Sequence, residues 1–373
     1  MIKGRTLIRW VIVIQKYIEY KTPLASLATT ALVAILLTAC SSSSIPKINN
    51  ETTSLITYGV IPPQLPSSTV LSKSILTMKN LAGKNPFIVH LYINWADYNS
   101  DHLLLSTDIS AYAKNGLQID LAIRYVPTQE NLGNTTAYAN FVAQVVKTYA
   151  AQPALTQIQV TNEANSPFNA GASDGAYPQA MQALVSGIES GYQAKIRYHS
   201  QVKLGFNWFY SFGQTADVQW WTDLGKLGGK RFAQDVNWVG VDDYPGTWVP
   251  STIPGSGQSL ANAGKNDVIK ALNTVRTELM PLANLNSTVQ LGLSEIGWAT
   301  NPPTRSLSEQ STLVKAFSEG ACSVAKKDNV GFMQWFELIG KDKSGLAMGL
   351  MSSTFTPKPA FSAYKSIIAN GCH

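Results

Sequence analysis

Two glutamates stand in short strings that suit paired acid and base work, Thr161-Asn162-Glu163-Ala164-Asn165 and Leu293-Ser294-Glu295-Ile296-Gly297-Trp298. Each follows a β-branched, apolar run, so each carboxylate is expected at the end of a strand. Carboxylates set in pairs across a pocket divide the labour that glycosidic bond cleavage requires. One stays protonated and donates to the leaving oxygen, while the other stays ionised and meets the positive charge growing on the sugar. A lone strand-end glutamate usually makes a structural ion pair, so it is the pairing, with Asn162 directly before Glu163, that points to chemistry. In Asp242-Asp243-Tyr244-Pro245 adjacent side chains on a strand point opposite ways, so at most one aspartate faces a pocket, and Asp243 is read as a subsite residue at best.

The elements that hold these residues can be read as eight strand-like runs, at 55–60, 87–93, 117–125, 156–161, 202–207, 236–241, 289–294 and 330–335. Several are apolar on both faces, as parallel strands covered by helices are. Helical or amphipathic stretches separate most of them, which predicts the α/β class and a single-domain (β/α)8 TIM barrel. A doubly wound open sheet competes, but no Gly-rich phosphate turn follows the first strand. Ser306-Leu307-Ser308-Glu309 fits a capping box, with Leu313, Phe317, Ala321 and Val324 then at helical spacing, as a seventh helix. Pro359 opens a last helix with Phe361, Tyr364 and Ile368 facing inward. Glu163 then follows the fourth strand and Glu295 the seventh, on opposite sides of the pocket mouth. The loops at 165–177 and 245–265 are longer than a turn requires and are candidate cleft walls.

Five of nine tryptophans, Trp95, Trp208, Trp248, Trp298 and Trp335, fall at or just after strand ends. With Tyr98, Phe209 and Tyr210 they are placed to stack on apolar sugar faces, although large aromatics also cap barrel cores. Other constellations fail. Gly171-Ala172-Ser173-Asp174-Gly175 spells a nucleophile elbow but lies in a loop read as flexible, so the match is chance. His90, His102, His199 and His373 lack metal spacing, and His90 reads first as a satisfied core residue.

In this strand order the chain resembles the clan A glycoside hydrolases. Their acid/base glutamate follows an asparagine at the end of strand four, and their nucleophile glutamate ends strand seven. The resemblance implies a retaining double displacement, in which Glu163 donates a proton while Glu295 attacks the anomeric carbon, with the carboxyls about 5–5.5 Å apart. It further implies that Asn162 bonds the sugar 2-hydroxyl, that Tyr244 bonds and orients the nucleophile, and that Trp335 is a sugar platform. Two departures stand. The clan arginine comes from the second strand, whereas in this chain Arg124 falls on the third, so either the strand count slips by one or Arg124 has another task. Ala164 also occupies a place where proline is frequent. The implied activity is cleavage of a β-linked polysaccharide or oligosaccharide, endo-acting by its open rim, with no metal or organic cofactor. A transglycosylase uses the same residues, and a non-catalytic carbohydrate-binding lipoprotein is the competing class.

Lys3, Arg5, Arg9, Lys16 and Lys21 precede an apolar run from Leu24 to Leu37 and then Thr38-Ala39-Cys40. This order resembles a bacterial lipoprotein signal. It implies a signal peptide over 1–39, lipidation at Cys40, a Ser/Thr-rich tether over 40–54, a catalytic domain over 55–373 and a membrane-anchored location outside the cytoplasm. An uncleaved membrane anchor is the alternative. With Cys40 committed, Cys322 and Cys372 remain of three cysteines, and in such a compartment they are expected to pair, two buried thiols being the other reading. The chain has 373 residues, 45% hydrophobic and 14% charged, enough for one large core and too apolar for disorder. Its formal charge of +6 is carried largely by the five cations of that N-terminal segment, so the body is near neutral and nucleic acid is not an expected partner. A monomer is expected.

Overall fold

The computed structural model describes residues 54–168, 170–211, 215–247, 260–300, 305–340 and 347–373. Eight strands alternate with eight major helices: β1 Thr57–Val60, α1 Ser68–Ala82, β2 Phe87–Asn94, α2 Tyr98–Lys114, β3 Gln118–Arg124, α3 Thr135–Thr148, β4 Leu155–Val160, α4 Ala180–Arg197, β5 Lys203–Phe209, α5 Thr215–Asp235, β6 Trp238–Asp243, α6 Leu260–Thr274, β7 Gln290–Ile296, α7 Leu307–Asp328, β8 Val330–Trp335 and α8 Pro359–Asn370. Every strand pairs in parallel with the next, and β8 closes on β1, aligning Val60 with Trp335, into a (β/α)8 barrel. The eight expected runs all appear, within a few residues at their ends, so the strand count stands and Arg124 does end the third strand.

The local signals explain several of these elements. Ser306 and Glu309 form a reciprocal capping box at the start of α7, which satisfies two amides that the helix leaves unpaired. Leu313, Phe317 and Ala321 are fully buried on its inner stripe. Pro359 sits at the first turn of α8, where its missing N–H costs nothing, and Phe361, Tyr364 and Ile368 are buried. Cys322 on α7 is bridged to Cys372 beyond α8, with Cα atoms 5.6 Å apart.

The core has two parts of different chemistry. Between barrel and helices it is apolar, with Tyr112, Val142, Ile188, Leu224, Leu272 and Phe317 fully buried. Inside the barrel an apolar cluster of Ile88, Trp238 and Phe332 gives way, toward the C-terminal ends of the strands, to polar groups, which corrects the expectation of strands apolar on both faces. His90 of β2 pairs with Asp120 of β3 at 2.9 Å, and Gln334 of β8 donates to the same carboxylate at 2.8 Å. Asn207 of β5, Asp242 of β6 and Ser294 of β7 form a second buried group. Strand pleating sends alternate residues inward, and inside the closed barrel the polar ones bond one another.

Candidate active site

The acid/base candidate sits on a turn that the backbone alone would not choose. Thr161 and Glu163 take positive φ values of 65° and 48°, and for a β-branched residue such as Thr161 that is strained. Hydrogen bonds on each side hold it. The Thr161 amide donates to the Ile123 carbonyl and the Tyr138 hydroxyl, at 3.0 and 3.1 Å. The Asn162 amide donates to Asp174 Oδ2 at 2.7 Å and the Glu163 amide to Asn207 Oδ1 at 2.7 Å.

Asp174 anchors the loop after β4. It is fully buried, accepts from Arg124 Nη2 at 3.0 Å and from the Tyr125 amide at 2.6 Å, and so ties that loop to β3. Its neighbour Ser173 donates to Glu163 Oε2. A side chain at Gly175 would lie 2.6–2.8 Å from the backbone of Ser166 and Ala164, so this close approach requires glycine. Ser173 and Asp174, in a loop expected to be flexible, are instead buried and brace the glutamate.

Glu295 is the penultimate residue of β7, where the register with β8 shifts between Leu293 and Ile296, an irregularity that lets Ser294 and Glu295 both meet polar partners inside the barrel. Tyr92 of β2 donates to its Oε1 at 2.5 Å, and Tyr244 donates to its Oε2. Burial, followed by the charge of Glu295, pushes both phenols well above their ordinary range, so they remain donors. Glu163 is also buried, and desolvation followed by the Glu295 charge raises its carboxyl from 4.5 to about 8, against the pull of Ser173 and Arg124. At neutral pH it carries a proton.

One oxygen from each of Glu163, Asp242 and Glu295 lies within 4.8 Å of the others, the grouping among the described residues whose spacing suits a metal ion. Both oxygens of Glu295 already accept tyrosine hydroxyls, and those of Asp242 meet Ser294 and Asn207. That is how buried carboxyls are satisfied without a cation.

The cleft above these groups encloses about 500 Å³. It brings together Glu163, Glu295, Asn162, Tyr244 and Arg124, all singled out by the sequence, with Tyr92, Ser173, Phe168, Phe209 and Phe336. The expected aromatics fare differently. Trp335 is fully buried outside the barrel, its ring 6.3 Å from Phe317 and its Nε1 donating to the Met348 carbonyl at 3.0 Å. Its neighbour Phe336 lines the cleft in its stead. Trp208 is likewise buried against Trp221 and Tyr210, while Phe209 faces the cleft. Trp298 lies under the Arg305 guanidinium, 4.8 Å from it, and Trp95 stacks on Tyr125 at 5.9 Å. Tyr98 packs on Phe141. Trp248, Cys40 and residues 1–53 lie outside the described residues.

Asp242, not Asp243, lies beside the two glutamates, while Asp243 is buried next to Asp267. The signal was available, because Tyr244 is two residues from Asp242 and shares its side of the strand. The same two-residue step from His90 locates Tyr92, which the sequence alone did not single out. Asn162 Nδ2 donates to the Ala172 carbonyl at 2.9 Å, within the brace.

Fold and site together define a closed (β/α)8 barrel with a buried pair of glutamates on opposed strand ends, one held neutral. Known structures share that fold. The chain superposes on a fungal β-1,4-galactanase with a TM-score of 0.58 and 14% identity, covering 83% of this chain and 99% of that one. A β-glucosidase from Thermotoga maritima bound to deoxynojirimycin gives 0.60 at 10% identity, over 86% and 99%. The β-glucosidase of Pyrococcus furiosus gives 0.55 at 14%, over 80% and 84%. No family model and no curated protein sequence matches the chain.

Proposed function

We propose that the protein is a retaining glycoside hydrolase that cleaves a β-linked glycan, with Glu163 as acid/base and Glu295 as nucleophile. The observation that carries this reading is the gap between the carboxyls, with one oxygen of each within 4.8 Å. That gap suits direct attack at about 5–5.5 Å, whereas an inverting enzyme leaves about 6.5–9.5 Å for a water. The fold shared with a galactanase and with β-glucosidases supports it.

In the first step Glu295 attacks the anomeric carbon and Glu163 gives its proton to the departing oxygen. Transfer of that proton leaves Glu163 ionised, and it then takes a proton from the water that displaces Glu295. Tyr92 and Tyr244 hold Glu295 by both oxygens, which aims the attack and restrains the carboxylate when it departs. Phe168, 75% exposed, with Phe209 and Phe336, supplies flat apolar surfaces for sugar faces. The open mouth and the long β4 loop favour endo cleavage. The Cys322–Cys372 bridge supports an extracytoplasmic location, consistent with anchoring through Cys40.

The test is to incubate the purified chain from Ser41 onward with β-glucans, mannans, galactans and xylans and to identify products by mass. Cleavage of one class, lost in Glu295→Ala, is the expected result. Saturable binding without cleavage of any of them would show a carbohydrate-binding protein instead.

A further inference from the structure

The barrel holds a third carboxyl that the two-glutamate mechanism does not use. Asp242 is fully buried beneath the cleft, with an oxygen within 4.8 Å of both glutamates. Its Oδ1 lies 2.5 Å from the hydroxyl of Ser294, the residue that leads into Glu295. Its Oδ2 takes the side-chain amide of Asn207. Asn207 in turn grips the acid/base turn twice, accepting from the Glu163 amide at 2.7 Å and donating to Asn162 Oδ1 at 2.8 Å. Were the Asn207 amide flipped, a donor would face the Glu163 N–H and an acceptor would face Asp242. Asp242 thus fixes which way Asn207 points, and Asn207 fixes Glu163.

Three carboxyls this close do not all ionise. The guanidinium of the cleft, Arg124, directs its terminal nitrogens to Asp174 and the Gly171 carbonyl. The Ser294 hydroxyl donates to Oδ1 of an ionised Asp242 and, being a rotor, turns to accept from a protonated Oδ1, so the neutral acid keeps both its Ser294 and Asn207 bonds.

We propose that Asp242 is a positioning residue, a neutral carboxylic acid that clamps the turn carrying Glu163 to the strand carrying Glu295 without adding charge beneath them. The role rests on Glu163 being the acid/base and Glu295 the nucleophile. Burial, then Glu295 and then Glu163, push the Asp242 carboxyl upward. The other titratable groups facing the cluster are Tyr92 and Tyr244, which remain donors, and the Arg124 cation.

Asp242→Asn reproduces the neutral acid, with an amide donating to Ser294 and an oxygen accepting from Asn207, whereas Asp242→Ala frees Asn207 to turn. On the glycan that the chain cleaves, Asp242→Ala is expected to lower kcat about 100-fold with KM within about threefold, since misplaced reacting groups cost that much. Asp242→Asn is expected to restore kcat to within about threefold, with the alkaline fall of kcat/KM unmoved. Equal losses in both variants, or a displaced alkaline limb in Asp242→Asn, would mean that the residue acts through its charge and would overturn the proposal. Full activity in Asp242→Ala would overturn it too. Asn207→Ala breaks the same clamp from its other end and serves if Asp242→Ala does not fold.

An arm without turnover separates this from failure of the hydrolase reading. Infrared spectra at about pH 7 are expected to lose one protonated-carboxyl C=O band in Asp242→Asn. Retention of every such band would show Asp242 ionised and remove the neutral clamp, whether or not any glycan is cleaved.

Discussion

At the residue scale the proposed hydrolase gives two glutamates of one cleft opposite tasks, and their surroundings distinguish them. Azide reports each task separately, because the small anion replaces whichever group has been removed. Glu295→Gly is expected to lose about 10⁴-fold or more in kcat, and azide, attacking from the vacated face, to rescue it as an α-glycosyl azide from a β-linked substrate. Glu163→Gly is expected to spare activated leaving groups, lose about 10²–10⁴-fold on natural glycans and yield the β-glycosyl azide. Identical azide products would sink the assignment. The raised Glu163 carboxyl also fixes a direction with pH. Activity is expected to fall as pH rises through about 8, because the proton to be donated is then gone. Between its ordinary 4.5 and about 8 the folded state binds this proton more tightly than the unfolded chain does. Stability therefore declines as pH rises across that window. Calorimetry should show Glu163→Gln gaining on the native protein by up to about 1.4 kcal/mol per pH unit there, and a constant difference would count against a buried neutral acid. The places of both glutamates, Asn162 and Tyr244 in one cleft were legible because type and strand number coincide. Tyr92 and Ser173 were not, because each reaches its glutamate through space from another part of the chain.

At the element scale the barrel was legible strand by strand, and the errors in the cleft share one physical form. Trp335 and Trp208 are conspicuous rings on strands whose pleat turns them outward, while the smaller Phe336 and Phe209 next to them point in. The choice of Asp243 over Asp242 is the same one-residue slip. Composition marks where aromatics gather, but only the phase of the strand says which face they take. Two substitutions should part these roles. Trp335→Ala is expected to cost about 3–5 kcal/mol of stability in denaturant melts, whereas Phe336→Ala should leave the melt nearly in place and raise KM about tenfold. The opposite pattern would return the platform to Trp335. The loop after β4 was legible as long and cleft-forming. Its rigidity was not, because Asp174 becomes a brace only when Arg124, Tyr125 and Asn162 converge on it. Gly175→Ala places a methyl against the backbone of Ser166 and Ala164. We expect it to cost about 1–3 kcal/mol in melting experiments and to lower kcat with it.

At the scale of the whole molecule, the polar groups in the upper barrel interior and the apolar sleeve around the strands make one frame for a site drawn from at least five strands. The disulfide closes that frame at its C-terminal end, joining residues 50 apart in sequence. In the chain-entropy view such a loop contributes about 4 kcal/mol, so Cys322→Ser with Cys372→Ser should melt markedly lower at unchanged KM, since neither cysteine lines the cleft. The pairing followed from the even cysteine count and the expected compartment, and the closed barrel from the order of its strands. The polarity inside the barrel could not be read from runs that look apolar throughout, because the bonds of His90, Asp120 and Gln334 form only on closure. The proposed double displacement at one face of the barrel unites all three scales, and the stereochemistry of the first product tests it most directly. Proton NMR following the anomeric signals from the start of cleavage should show the β-anomer first and the α-anomer only as mutarotation proceeds. An α-anomer formed first would mean inversion, and would contradict Glu295 as nucleophile and Glu163 as its acid/base partner.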